Sequence, residues 1–574
     1  MTEIYGFAGL YDYCIDLKNI FKSEKKLEIF QGKDIKKKSN YCAGLGHYSS
    51  GFLSRDKQPY KNKYLHGVLC GHILEDYAID NIFEILSGKR FSKLENLNGI
   101  FSCGVWDQKN EALYLITDRY GFRPLYYYHD PEKNYFVFSA NINDLAKSRF
   151  VKKRINWASW AVFLNLGYNL GNETGFKDIF LVPPGSVLKF QNNTIQIYKY
   201  KNILEIKIDE NMSYSHALEG SIELFSQSVK RRNNGFESEK TVLLSGGLDS
   251  RRIAAELKKQ NTDFETYTTR GFSPYDQESE RAAAVAETLG LKNYFINLPE
   301  KDFFKNYWKR ANYITGYETN LHQWILPLTD ALPEEIKINY DGIAGDLISK
   351  VYISASGFNN TEEVYTASDQ TALKVLNNKI NNYSFMDKSI SGKFSREQVL
   401  SSLKTELAGY ENSPNMITFF YLLNRTRRSI ALSPFRILLS RGIESFCPFL
   451  DNDFFDFTMS IPQKLKLKNN LRKDMTKKAW PLVSEVSFTN YGKKQRNKKY
   501  TNDIKYYSQR RKHLKDNIFE HYLKNNRIFS NKNAFPRIVK EIIISRKDSE
   551  WPTTVFAGSC LVFYEWLERY FDVN

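Results

Sequence analysis

The sequence predicts a two-domain protein, with an α+β domain of short strands over 1–205 and an α/β domain built on a parallel sheet over 206–574. Three observations predict it. At 574 residues the chain exceeds what one ordinary core accommodates. Residues 1–200 break into short aromatic-rich runs, such as ALYLIT at 112–117 and YFVFS at 135–139, separated by Asp, Asn, Gly and Pro; this is the pattern of strands and turns. After residue 205 the period changes. Ala217, Ile222, Phe225 and Val229 recur at helical spacing, and a compact apolar run, TVLL at 241–244, opens an alternation of strands and helices.

Composition narrows the function classes. Apolar residues make up 42% of the chain, enough for sizeable cores, but no run of about 18 apolar residues exists to span a bilayer. The N-terminus, MTEIYGFAGLYDYC, has no basic segment leading into an apolar one, so a secretory signal is not expected. Six cysteines (14, 42, 70, 103, 447 and 560) lie far apart without a CxxC pair. That spacing suits a reducing cytoplasm and predicts neither a disulfide framework nor a structural zinc site. The net charge of +17 is concentrated, since residues 491–550 hold 17 Lys and Arg against 6 Asp and Glu. This run reads as the solvated faces of a basic helical extension over 500–574, and nucleic acid is not expected as a partner.

The strongest chemical signal is SGGLDS at 245–250, between the strand that ends at Leu243–Leu244 and an amphipathic helix. Adjacent glycines Gly246 and Gly247 allow a tight turn and close approach of a ligand. The amides opening the next helix face an anion, and the helix dipole favours it. Ser245 and Ser250 offer hydroxyls to phosphate oxygens, and Asp249 can hold a Mg²⁺ bound to a polyphosphate. The run lacks the lysine of a GxxxxGK[ST] loop. Further on, YTTRG at 267–271 reads as a second strand end. Another apolar strand, IKINY at 336–340, then leads into DGIAGD at 341–346, whose Gly342 and Gly345 again suit close approach to phosphate.

SGGxDS after a strand resembles the PP-loop of ATP pyrophosphatases, enzymes that cleave between the α and β phosphates of ATP. DGIAGD resembles the SGEGADE loop of the asparagine synthetase family. ESFCPFLD at 444–451, Ile461-Pro462, Lys466 and Leu471-Arg472 match that family's later blocks in order and spacing. The resemblance covers about 210–500 and implies a PP-loop α/β domain. It implies ATP contacts at Leu243, Ser245, Gly246, Gly247, Asp249, Ser250, Thr269, Asp341 and Gly342, and a Mg²⁺ shared by Asp249 and Asp346. It also implies a catalytic lysine near the leaving pyrophosphate, Lys493 or its neighbour Lys494.

The first domain resembles the same family's glutaminase half, implying an N-terminal-nucleophile αββα sandwich. NGIF at 98–101, VWD at 105–107 and DRYGFRPLYY at 118–127 carry this likeness. Its chemistry is missing. Tyr5, in YGFAG, stands where the family has a terminal cysteine that serves as nucleophile. The glutamine-holding NGEIYN loop is replaced by Cys70-Gly71-His72-Ile73.

In the second domain, Ile343 replaces the glutamate of SGEGADE and Leu347 replaces its last residue. An apolar side chain can neither orient nor deprotonate an amine. The expectation is an ATP-dependent amide-bond-forming ligase that adenylates a carboxylate and joins it to a built-in or tethered amine. β-Lactam synthetases and lasso-peptide cyclases are relatives of that kind, and a precursor peptide is a candidate substrate. The competing readings are a glutamine-hydrolysing asparagine synthetase, a tRNA-modifying PP-loop enzyme and a non-catalytic scaffold.

Overall fold

The computed structural model describes residues 3–10, 27–31, 41–48, 58–76, 78–234, 236–270, 277–298, 303–348, 365–378, 380, 383, 386, 388–486 and 551–571. The chain separates into two compact units, one of residues 1–156, 171–205 and 439–442, the other of 157–170, 206–438 and 443–574.

The first unit is built on two six-stranded antiparallel sheets. One takes the order Phe180–Leu181, Tyr126–Asp130, Tyr135–Ser139, Glu3–Leu10, Tyr41–Tyr48, Leu27–Gln31. The other takes the order Thr194–Lys199, Ser186–Gln191, Ala112–Thr117, Gly99–Asp107, Leu65–Ile73, Tyr60–Lys61. Between the sheets lies an apolar core in which Ile4, Leu45 and Phe138 from the first meet Val68, Trp106 and Leu115 from the second. The helix Ala78–Ser87 covers the outer face of the second sheet with Ile82, Phe83 and Leu86. All nine residues of Gly99–Asp107 are therefore buried, because both faces of that strand are covered.

The DRYGFRPLYY block forms the turn between two of these strands, and its centre is polar. Asp118 is 1% exposed and accepts from the backbone N–H groups of Tyr120 and Gly121, each at 2.8 Å. Burial nevertheless pushes its carboxyl up to about 6.

One expectation needs correcting. Cys42 is disulfide-bonded, while Cys70, Cys103, Cys447 and Cys560 are free and buried. Spacing along the chain does not decide disulfide formation. Pairing requires Cα atoms about 5–6 Å apart in space, which spacing along the chain does not reveal.

The second unit centres on a five-stranded parallel sheet in the order Asn293–Asn297, Glu265–Arg270, Glu239–Leu243, Ile336–Tyr340, Glu444–Phe446. The preceding helix, Tyr214–Asn233, is N-capped by Ser213, whose side chain accepts from His216 N. Of the expected stripe it buries Ala217, Phe225 and Val229, while Ile222 is half-buried. Trp160, on the helix Trp157–Leu166, packs against Phe563 and Trp566 of the helix Trp551–Tyr570, which draws that segment into this unit. The rest of the basic extension lies outside the described residues. Among the described residues no helix is long and apolar enough to cross a membrane.

Candidate functional site

The first strand of the parallel sheet, Glu239–Leu243, lies at its centre. From it the chain moves outward to Glu265–Arg270 and Asn293–Asn297, then returns to the other side at Ile336–Tyr340. The carboxyl ends of Glu239–Leu243 and Ile336–Tyr340 thus flank the point where strand order reverses, the usual ligand crevice of an open parallel sheet. The loops 245–250 and 341–346 emerge there side by side.

The first loop is held by its own serines. Ser250 Oγ accepts from Ser245 N at 3.1 Å and lies 3.0 Å from Ser245 Oγ, which in turn accepts from Gly247 N at 3.2 Å. The two hydroxyls expected to face phosphate are therefore also the loop's internal braces. The helix Leu248–Lys259 follows, with Gly247 at its N-cap and no side chain capping its first amides. Those amides are the ordinary anion-binding feature of a helix start.

The second loop closes directly on the first. A Cβ on Gly342 would fall 2.9 Å from Asp249 Cβ, and one on Gly345 would fall 2.6 Å from Asp249 Oδ1. Only glycine permits this approach. Ala344 has φ +69, a left-handed conformation that costs a non-glycine residue free energy. Asp341 accepts from Ile343 N at 3.0 Å, and burial pushes its carboxyl up to about 6. Ile343 and Leu347 are buried.

Asp249 is the charged centre of the junction. Its Oδ1 accepts from Arg252 Nη2 at 2.7 Å and its Oδ2 from Arg472 Nη2 at 2.5 Å. Burial pulls Arg252 down to about 10, with Asp249 and Asp346 opposing the fall. Burial also works against Arg472, but Asp249 and then Asp346 outweigh it and hold its pKa above the usual arginine value. Asp346 lies in the first turn of the short helix Gly345–Ile348, beside the glycine that abuts Asp249. Among the described residues, no group of three or more His, Cys, Asp or Glu side chains is placed to hold a metal.

Thr269 stands near the carboxyl end of Glu265–Arg270, and its Oγ1 is buried without a hydrogen-bond partner. Its neighbour Thr268 donates to Leu244 O at 2.8 Å, tying this strand end to the approach of the first loop. Leu243, half-buried, donates its N–H to Asn339 Oδ1 at 3.3 Å. Lys493 and Lys494 lie outside the described residues.

Sequence reasoning passed over Arg251 and Arg252. Arg251 is fully buried, and its guanidinium donates to four backbone carbonyls: Gly246 O at 2.9 Å, Gly247 O at 3.2 Å, Val483 O at 3.0 Å and Val486 O at 2.8 Å. The available signal was two cations in the first turn of a helix, where the dipole disfavours them. Arg472 was legible only as part of a motif, not as the partner of Asp249.

Comparison with known proteins follows these two units. A glutamine amidotransferase domain matches residues 84–201, and the asparagine synthase family matches residues 221–568. Asparagine synthetase [glutamine-hydrolyzing] 3 of Bacillus subtilis is 21% identical over 67% of this chain and 65% of its own length. Asparagine synthetase [glutamine-hydrolyzing] 2 of the same organism is 24% identical over 41% of this chain and 33% of its own. Asparagine synthetase B of Escherichia coli is 22% identical over 66% of this chain and 56% of its own. The chain thus spans no more than 65% of the length of these relatives. With a family match over more than half its residues, joined to the paired loops at the switch point, the chain belongs to the asparagine synthase family.

Proposed function

We propose that the protein is an ATP-dependent carbon–nitrogen ligase that activates a carboxylate as its acyl-adenylate, with loss of pyrophosphate, and transfers the acyl group to an amine, releasing AMP. One observation carries this reading: loops 245–250 and 341–346 close on Asp249 through Gly342 and Gly345 at the switch point of the sheet.

The residues present fit a Mg²⁺-bound polyphosphate. Two carboxylates, Asp249 and Asp346, are the donor set such an ion takes when phosphate oxygens and water complete its shell. When bound, the ion neutralises phosphate charge. The uncapped amides of Leu248–Lys259 and the braced serines 245 and 250 would bind and orient the phosphates. The partnerless Thr269 hydroxyl is available to the nucleoside. Lys493 or Lys494 would stabilise the departing pyrophosphate.

The amine is proposed to be built into or tethered to the substrate, as in lasso-peptide cyclases and β-lactam synthetases. Tyr5 supports this: it lies inside the strand Glu3–Leu10 and is fully buried, which leaves no nucleophile at the position the family uses to release ammonia. Ile343 supports it in the second loop. Glutamine-dependent asparagine synthesis is the second reading, favoured by what the relatives are called. A cytoplasmic location belongs to the proposal on the four free cysteines, with the Cys42 disulfide opposing it.

The deciding experiment incubates the full chain with Mg²⁺-ATP and either glutamine plus aspartate or a panel of amine-bearing carboxylates and peptides. Pyrophosphate and AMP formed only with a member of the panel support the proposal. Glutamate and asparagine formation would replace it with the second reading.

A further inference from the structure

The two arginines that share Asp249 are held very differently. Arg252 is fully buried and fixed on several sides. Its Nε donates to Leu248 O at 3.2 Å, its Nη1 lies 3.5 Å from Met475 Sδ, and its guanidinium stands 5.2 Å from the centre of the Phe449 ring. Arg472 reaches in from the helix Asn470–Ala479 and retains 12% of its side-chain exposure. Its Nη2 bonds Asp249 Oδ2, and its Nε is buried without a hydrogen-bond partner. A guanidinium carries five N–H donors in a rigid fork, so Arg472 stands at the junction with donor capacity unused.

Asp249, by contrast, has both oxygens committed to guanidinium groups. A divalent cation needs a carboxylate oxygen as a direct ligand, and a guanidinium already seated on each oxygen opposes it by charge and by space, so withdrawal of one arginine opens Asp249 to the ion. Arg472 is the one whose restraints allow this.

We infer that Arg472 is a nucleotide-responsive latch on Asp249, an inference that rests on the ATP reading of the loop pair. Without nucleotide it occupies Oδ2. When a divalent cation arrives with a polyphosphate, it releases that oxygen to the cation and turns its fork onto phosphate oxygens, which suit bidentate guanidinium binding. The charge balance explains why metal and nucleotide come together. Asp249 and Asp346 against Arg252 and Arg472 sum to zero. A cation alone would displace Arg472 with no anion to receive it, leaving an almost buried guanidinium unpaired. The phosphates supply that anion.

The test uses the full chain, Mn²⁺ as the metal probe followed by electron paramagnetic resonance, and α,β-methylene-ATP followed by calorimetry. Arg472→Met frees Asp249 Oδ2 and removes the phosphate fork. Binding of Mn²⁺ alone should then tighten about fivefold or more, while binding of the analogue with Mn²⁺ should weaken about tenfold or more, the scale of one charge-assisted hydrogen bond. Arg472→Lys keeps the charge without the fork and should fall between wild type and Met in both measurements. It carries the comparison if the Met variant does not fold. Opposite signs are the signature, because a merely structural role would weaken both affinities. Variants that shift both affinities the same way, or neither, overturn the latch while the ATP reading stands. A wild-type protein that binds no analogue overturns both.

Discussion

The ring of Tyr5 lies across Gly46 of the neighbouring strand, so closely that a Cβ at position 46 would fall 2.4 Å from the tyrosine ring. A buried aromatic ring thus occupies position 5, where the family resemblance leads one to expect a nucleophile, and the glycine opposite leaves room for that ring. The protein is therefore expected to release no glutamate from glutamine above background, with or without ATP, in a coupled glutamate assay. Gly46→Ala should lower stability by about 1–3 kcal/mol through overpacking, read from denaturant unfolding. A steady glutaminase rate in the wild type would restore the amidotransferase reading.

Asp249 and Asp346 should fail the reaction together but the fold separately. Asp249→Asn and Asp346→Asn are each expected to slow substrate-dependent pyrophosphate release by about 10²–10³, as the loss of a charge-stabilising group does. The double variant should be little worse than either single one, since both carboxylates are proposed to serve one ion. Asp249→Asn should also reduce thermal stability, because Arg252 is fully buried and loses its carboxylate. Undiminished pyrophosphate release by the Asp249 variant would remove the basis of the proposed function.

Lys466 gives a pH signature. It is 3% exposed and donates to Thr458 O at 3.0 Å, and burial lowers its pKa to about 7. The unfolded chain, with an ordinary lysine pKa, binds more protons between about pH 7 and 10, so this residue makes stability rise with pH across that window. Lys466→Met should raise the melting temperature at pH 7 and flatten that rise, as measured by calorimetry at pH 7 and pH 9. An unchanged slope would show that the amine keeps its charge in the fold.

Glu318 and Arg428 form an ion pair at 2.7 Å with each side chain 3% exposed. Arg428 belongs to a π-helical segment, Leu422–Ile430, of a kind that is rare at this length. Arg428→Met strands a buried carboxylate and should cost about 3–5 kcal/mol in urea unfolding. Pairing it with Glu318→Gln should recover part of that loss, and a double variant as unstable as the sum of the singles would argue that the two side chains are not coupled.

What the sequence made legible follows the range over which each signal acts. The strands Ala112–Thr117, Tyr135–Ser139 and Ile336–Tyr340 were readable, as was the helix that carries Ala217, Phe225 and Val229, because alternation, apolar runs and helical spacing are local. The loop 245–250 was readable because its glycines, serines and helix start sit together. Arg472 as the partner of Asp249 was not, since the two lie 223 positions apart and an ion pair leaves no local pattern. The Cys42 disulfide escaped because pairing leaves no pattern in the spacing of cysteines along the chain. The π-helical turn of Leu422–Ile430 escaped because its period departs from the 3.6 residues against which helices are recognised.

Arg251 joins the backbone of Gly246 and Gly247 to that of Val483 and Val486. Because every acceptor is a main-chain carbonyl, the identities of residues 483 and 486 matter less to this joint than their number. A conservative exchange at either place leaves the carbonyl where it is, whereas inserting or deleting one residue in 481–486 rotates it out of reach. Length in this stretch should therefore be under tighter selection than spelling, and a fusion or truncation made there would reach the glycine turn without altering a residue in it.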